Sequence, residues 1–200
     1  MNVIGNSCAS CFIQTQFFNH ELLNPFSYNI IDFESFSYLI NNYDNINFEN
    51  ISFYLKDNYV MGNLENKILI NFVHYKFDKN AKTVINDKNN DVRYYNILEY
   101  VKTKWCERVK RIKNSEPIFL AASFTNNSVN NYTDNEIIAL LKNKSKYKII
   151  VAYEKSIDFK SNNDREYIFL NRNEIKGNCT NGRALAGYIC KKSKILNFLK

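Results

Sequence analysis

Apolar side chains recur along this chain at two spacings, and these divide it into helices and strands. In residues 33–43, FESFSYLINNY, Phe33, Phe36, Leu39 and Ile40 fall three and four apart, the stripe of an amphipathic helix, with Asp32 placed to cap it. The longest stripe runs Tyr94, Ile97, Leu98, Val101, Trp105, Val109, Ile112 and predicts a helix over 92–113. Thr133 with Glu136 three residues on is a capping-box signature and opens a helix at 134–143. Helices are also expected over 8–19 and, through Leu185, Ile189, Ile195, Leu196 and Leu199, over 183–199. Short apolar runs predict strands at 2–6, 51–55, 67–74, 117–123, 147–153 and 166–170. The run 67–74, KILINFVH, is nearly unbroken, which suits a strand buried on both faces.

From residue 67 onward the order is strand, helix, strand, helix, strand, strand, helix. Such alternation predicts an α/β fold, a three-layer αβα sandwich with a mostly parallel sheet. Two hundred residues fit one domain, 1–200. Sheets of this kind place their sites at the C-terminal ends of strands. Cys8 follows the first strand and His74 ends the third run, 67–74, so both are expected on one sheet edge.

Composition narrows the class. Apolar residues are 45% and aromatic residues 15%, with only 5 Gly and 2 Pro, which argues for long regular elements and against disorder. The net charge of +7 permits an anionic partner, although a solvated basic surface explains it as well. No basic patch interleaves with aromatics in a module pattern, so nucleic acid is not expected. The opening MNVIGNSCASCF lacks a basic stretch followed by a long apolar one, and no window approaches about 18 uninterrupted apolar residues. A cytoplasmic location without a transmembrane segment is therefore expected, with peripheral membrane association left open. Five cysteines, an odd number, suggest free thiols rather than a disulfide framework.

Cys8 is the first candidate for chemistry. At a helix start a thiol meets the positive end of the helix dipole and unpaired N–H groups, which stabilise thiolate and lower its pKa. The same N–H groups, around Asn6, Ser7 and Ala9, can hold an oxyanion. A small buried cysteine that merely fills space is the competing reading. Cys8 and Cys11 also spell CxxC, which opens a redox reading, or half a zinc site completed by Cys179 and Cys190; no metal is expected, because that second pair has unusual spacing. His74 is the candidate base, since a general base must lie within hydrogen-bonding reach of its nucleophile. Asp78 is a candidate to orient the imidazole, with Asn6, Asp32 and Ser123 competing. Lys104, Arg108 and Arg111 on one side of the long helix, with Lys76 beyond His74, form a basic set for carrier or substrate phosphates; a solvated face is the plainer reading. No P-loop, GxGxxG or paired-carboxylate motif is present.

The segments IGNSC, NPF, DFESFSYLINN, YVMGNLENKILINFVHYKFDKNA and KWCERVKRI, in that order, resemble an uncharacterised bacterial family of exopolysaccharide or capsule biosynthesis proteins. The shared features are a strand ending in Asn-x-Cys, a glycine-containing turn, His-Tyr-Lys, and a helix in which Trp precedes Arg-x-x-Arg-Ile. The closing TNGRALAGYICKKSKILNFLK is similar to that family's final helix. More remotely, the chain resembles capsule proteins with a cysteine–histidine site and papain-like families beginning with a Gly-x-x-Cys turn. The resemblance implies Cys8 as nucleophile and His74 as base, and offers a papain-like α+β fold as the alternative architecture. It leads to a cysteine-dependent acyltransferase, most simply an acetyltransferase, that takes its acyl group from a coenzyme A thioester, with no tightly bound cofactor. The acceptor would be a polysaccharide or nucleotide-sugar substrate. A non-enzymatic glycan-binding or assembly subunit, or a glycosyltransferase, is the alternative.

Overall fold

Nine strands and four helices follow one another as β1 (Asn2–Gly5), α1 (Ala9–Phe18), β2 (Ile30–Ile31), α2 (Phe33–Asn42), β3 (Ile51–Lys56), β4 (Tyr59–Leu64), β5 (Ile68–Asp78), β6 (Thr83–Val84), α3 (Ile97–Ile112), β7 (Pro117–Ser123), α4 (Asp134–Leu141), β8 (Lys148–Tyr153) and β9 (Tyr167–Leu170) among the described residues. A 3-10 turn, Tyr43–Asn45, extends α2. This is a computed structural model, and it describes residues 2–18, 23–27, 29–78, 83–84, 97–112, 116–123, 132–142, 146–153, 167–170 and 187. The predicted last helix, 183–199, lies outside the described residues apart from Gly187.

Four strands form a parallel sheet in the order β1-β7-β8-β9. Every residue of β7 is buried, as are all four of β1, which is what a strand covered on both faces requires. Among the described residues β1 is the edge of this sheet, and buried side chains cap its outer main-chain groups. The Val3 N–H donates to Gln14 Oε1 at 2.7 Å, and Asn24 Nδ2 donates to the Val3 carbonyl at 2.9 Å. An edge closed in this way offers no template for further pairing.

The expected mostly parallel sheet accounts for only half of the β-structure. β5 stands in a second, antiparallel sheet ordered β2-β5-β4-β3, with β6 pairing the far end of β5. Asp57 and Asn58 take positive φ in the two-residue link from β3 to β4, the backbone such a hairpin needs. Gly62 in β4 is a packing requirement: a Cβ there would stand 2.9 Å from Phe72 and 3.0 Å from Ile51. The run 67–74 is buried on one face only, for Ile68, Ile70 and Phe72 are buried while Leu69 is 42% exposed.

Both sheets share one apolar core. Ile4, Phe119 and Val151 from the parallel sheet join Val60, Ile70 and Phe72 from the antiparallel one, together with the buried faces of α2, α3 and α4. Trp105 of α3 sits among them, edge-on to Phe26 at 5.6 Å and Phe72 at 6.1 Å, while its indole N–H donates to the Phe48 carbonyl at 2.7 Å. The α4 capping box forms as the sequence indicates, and Asp32 caps α2 by accepting the Ser35 N–H at 2.8 Å.

Candidate active site

The parallel sheet carries Cys8 and the antiparallel sheet carries His74, so no common sheet edge unites them. They meet across the junction of the two sheets: Cys8 Sγ lies 3.5 Å from His74 Nε2, although the two are 66 positions apart in the chain. That is hydrogen-bonding distance for sulfur, and a neutral imidazole with Nε2 unprotonated accepts the thiol proton there. The imidazole is exposed and the thiol half-buried.

Each side chain reaches this point for a local reason. β1 ends at Gly5, and the chain turns through Asn6, Ser7 and Cys8 into α1. A Cβ on Gly5 would lie 2.5 Å from Ser10 Cβ and 3.1 Å from the Leu120 carbonyl oxygen, so only glycine lets the first turn of α1 fold back onto the strand. The Ser7 carbonyl accepts from the Ser10 N–H at 3.3 Å and from its hydroxyl at 2.9 Å, fixing the turn. On the other side the ladder shifts register. Val60 pairs with Phe72, but the next β4 residue, Tyr59, pairs with Lys76, leaving Val73, His74 and Tyr75 outside the β4 register. Such a bulge re-aims side chains. Tyr75 anchors it, its ring packed against Phe72 at 6.5 Å and Tyr100 at 5.8 Å.

Burial pushes the Cys8 thiol pKa up, and a main-chain hydrogen bond from Cys8 itself pulls it only part of the way back. This differs from the expectation of a helix-stabilised thiolate. Cys8 precedes the first helical residue and is packed into the junction, so loss of water outweighs the helix end. The resting pair is a neutral thiol beside an imidazole.

The remaining candidates divide by what already holds them. The Asn6 side chain is fully buried and committed to Ala122, accepting its N–H at 2.8 Å and donating to its carbonyl at 3.1 Å. Asp32 is a helix cap, and Ser123 accepts the Tyr132 N–H at 2.7 Å. For Asp78 the main chain pairs with Thr83, while its side chain and that of Lys76 lie outside the described residues. The Ala9 N–H reaches Ser7 Oγ at 3.4 Å, a long contact that an oxyanion can displace. Arg108 and Arg111 donate to the carbonyls of Ser27 and Leu23, each at 3.4 Å, and so pin residues 23–27 to α3. Lys104 pairs with exposed Glu107 at 3.0 Å, its ammonium 5.8 Å from the Tyr100 ring. The basic set is thus in part a clamp on the fold. Cys11 is fully buried in α1, and Cys8, Cys11 and Cys106 are free thiols. Among the described residues no group of three or more His, Cys, Asp or Glu is arranged to hold a metal; Cys179 and Cys190 lie outside them.

A cavity of about 680 Å³, lined by Tyr43, Phe48, Pro117 and Tyr147 among others, opens at the starts of β7 and β8. Because β1, β7 and β8 run parallel, this is the opposite end of the sheet from Cys8. Sequence reasoning missed Gly5 and Tyr75 as the residues that place the pair. The only signals were a glycine just before the turn and an aromatic flanking the histidine. Comparison with family models, curated proteins and solved structures finds no match. Among the described residues no helix is long and apolar enough to cross a membrane.

Proposed function

We propose that the protein is a cysteine-dependent acyltransferase, most simply an acetyltransferase, acting in surface polysaccharide biosynthesis. The observation that carries the chemistry is the 3.5 Å approach of Cys8 Sγ to His74 Nε2 at an exposed junction. The acceptor class rests on the resemblance of the IGNSC, His-Tyr-Lys and KWCERVKRI segments to polysaccharide biosynthesis proteins. In the first half-reaction Nε2 of His74 takes the thiol proton as Sγ attacks the carbonyl carbon of a coenzyme A thioester. The carbon–sulfur bond to the carrier breaks, and the imidazolium returns the proton to the departing thiolate. In the second, His74 takes a proton from a sugar hydroxyl. The oxygen attacks the Cys8 thioester, the carbon–Sγ bond breaks, and sulfur regains the proton. The exposed imidazole supports a large acceptor, because a polymer can present its hydroxyl there without entering an enclosed cavity. Main-chain N–H groups at the start of α1 would hold the oxyanion. Supply of the donor places the reaction in the cytoplasm. The parallel sheet that leads into Cys8 supports the α/β reading of the fold over the papain-like α+β alternative.

The test is intact-protein mass spectrometry after incubation with short-chain acyl coenzyme A thioesters. An acyl adduct on Cys8 is expected, absent in Cys8→Ala and slowed about 10²-fold or more in His74→Ala. A chain that never gains an adduct at Cys8, whatever the acyl group, is a scaffold or glycan-binding subunit and this reading is lost.

A further inference from the structure

Two sheets that each supply one member of a reacting pair need something to hold them in register, and the residues at their seam make an uncommon set of bonds. Asn6 lies two positions before Cys8 and joins three strands. Its N–H donates to the Leu120 carbonyl of β7 at 3.2 Å, continuing the β1 ladder past the end of the strand. Its side-chain amide then both accepts from and donates to the main chain of Ala122, at 2.8 and 3.1 Å, as another strand residue would. This leaves its carbonyl turned the other way, where it accepts the N–H of Ile31 in β2 at 3.2 Å.

Ile31 is the antiparallel sheet's side of the seam. It pairs with Ile70 of β5 and Ile30 pairs with Asn71, three residues before His74. The Ile31 carbonyl is held too: the Tyr132 hydroxyl, ahead of α4, donates to it at 3.3 Å. Tyr132 is itself fixed by its N–H on Ser123 Oγ at the end of β7. Asn6, Ser123 and Tyr132 are all buried, so none of these bonds has water in competition.

We infer that Asn6 and Tyr132 form a joint that locks β2 to the parallel sheet and thereby sets His74 against Cys8, which makes both of them positioning residues for the pair. The path is short. Cys8 is two residues from Asn6, Asn6 bonds Ile31, Ile31 pairs with Ile70, and the bulge carrying His74 begins three residues later. Neither residue touches the reacting atoms. The inference rests on the reading of Cys8 and His74 as an acting pair.

The experiment measures the alkylation rate of Cys8 by iodoacetamide against pH, followed on the Cys8 peptide by mass spectrometry, alongside thermal melting of each variant. The chains are wild type, His74→Ala, Asn6→Ala, Tyr132→Phe, each joint variant combined with His74→Ala, and Ile149→Val as a core truncation in β8 away from the joint. Tyr132→Phe keeps the ring and removes only the hydroxyl, so it serves if Asn6→Ala does not fold. The joint variants are expected to lose about tenfold in rate near neutral pH and to acquire the profile of His74→Ala. Adding His74→Ala should then change nothing further, because the pair is already uncoupled. A Tyr132→Phe variant that melts lower yet keeps the wild-type profile overturns the joint. So does an Ile149→Val variant that shifts the profile as much, for the effect would then be general loosening. If His74→Ala matches wild type at every pH, the pair does not act and the acyltransferase reading falls as well. Coupling that depends on the joint, without any acyl adduct, leaves the joint standing and removes only the acyltransferase.

Discussion

Replacing Gly5 by alanine should separate Cys8 from His74 through a single methyl group. The added Cβ would stand 2.5 Å from Ser10 Cβ and 2.8 Å from Ser10 Oγ, where ordinary contact begins near 3.4 Å. Relief needs a shift of about 1 Å, and little can yield. Ser10 is 1% exposed, its hydroxyl is bonded to the Ser7 carbonyl, and the Leu120 carbonyl oxygen closes the other side at 3.1 Å. The first turn of α1 has to move, and Cys8 with it. Overpacking of this kind costs about 1–3 kcal/mol. At about 2–4 °C per kcal/mol for a chain of this size, melting should fall by roughly 2–12 °C. A displacement of about 1 Å in a 3.5 Å contact is expected to slow acyl-adduct formation on Cys8 by about 10²-fold. Both are read directly, by thermal melting and by mass spectrometry of the Cys8 peptide. Ser10→Gly in the same chain removes the two nearest atoms and should restore most of the Cys8 chemistry, while its own helical glycine keeps the melting temperature low. A Gly5→Ala protein with wild-type melting and reactivity would refute the close approach. A double variant no better than the single would place the damage at Leu120 instead of at the helix.

Tyr43→Phe should stabilise the protein by about 1 kcal/mol, since the Tyr43 hydroxyl is buried with no hydrogen-bond partner; denaturant titration gives the value, and a loss of stability would mean the hydroxyl is satisfied. Thr133→Ala breaks the α4 capping box and should cost about 1 kcal/mol, seen as a lower melting temperature. Stability should also decline at high pH. Burial raises the pKa of Cys8 above 9.0 and those of Tyr43 and Tyr132 well above 10.0 in the folded protein, so the unfolded chain gives up these protons first. The contribution of each is complete below its unfolded value and disappears as pH climbs toward the folded one. Denaturation midpoints should therefore fall between about pH 9 and pH 11, less steeply in Tyr43→Phe; an equal slope in the two proteins would contradict the assignment.

What the sequence made legible was local. The cap at Asp32, the capping box at Thr133 and the apolar stripe through Val101, Trp105 and Val109 all report on a helix from within that helix, and all three are present. The unbroken PIFLAAS run likewise contains its own burial. The errors lie where the answer depends on a partner. β4 was not expected, because the alternation of Val60, Gly62 and Leu64 is interrupted by a glycine whose reason is the Phe72 ring opposite. KILINFVH looked like a strand buried on both faces, yet exposed Leu69 shows it to be one-sided, the mark of an antiparallel sheet. The choice of Cys8 and His74 came from strand and helix ends. The register shift that turns His74 toward the thiol, and the buried seam at Asn6, are products of pairing between distant segments and leave no local signature.

The neutral resting state of Cys8 bears on how such a site would be controlled. A preformed thiolate is open to oxidants and stray electrophiles at all times. Here burial raises the thiol pKa and favours the protonated sulfur, so in the proposed reaction His74 would take the proton as the carbon–sulfur bond forms. The 3.5 Å contact is long enough to tighten when a donor is seated and short enough to need no rearrangement of either sheet. Rigidity at the seam is then a condition of the chemistry: with no standing charge to attract the imidazole, only the packing and hydrogen bonds of the two sheets keep it in reach. The cost of small errors in Gly5 or Asn6 should accordingly appear in the reaction of Cys8 before it appears in folding. The ratio of those two losses, measured on the same variants, distinguishes a site built for catalysis from a buried cysteine that merely neighbours a histidine.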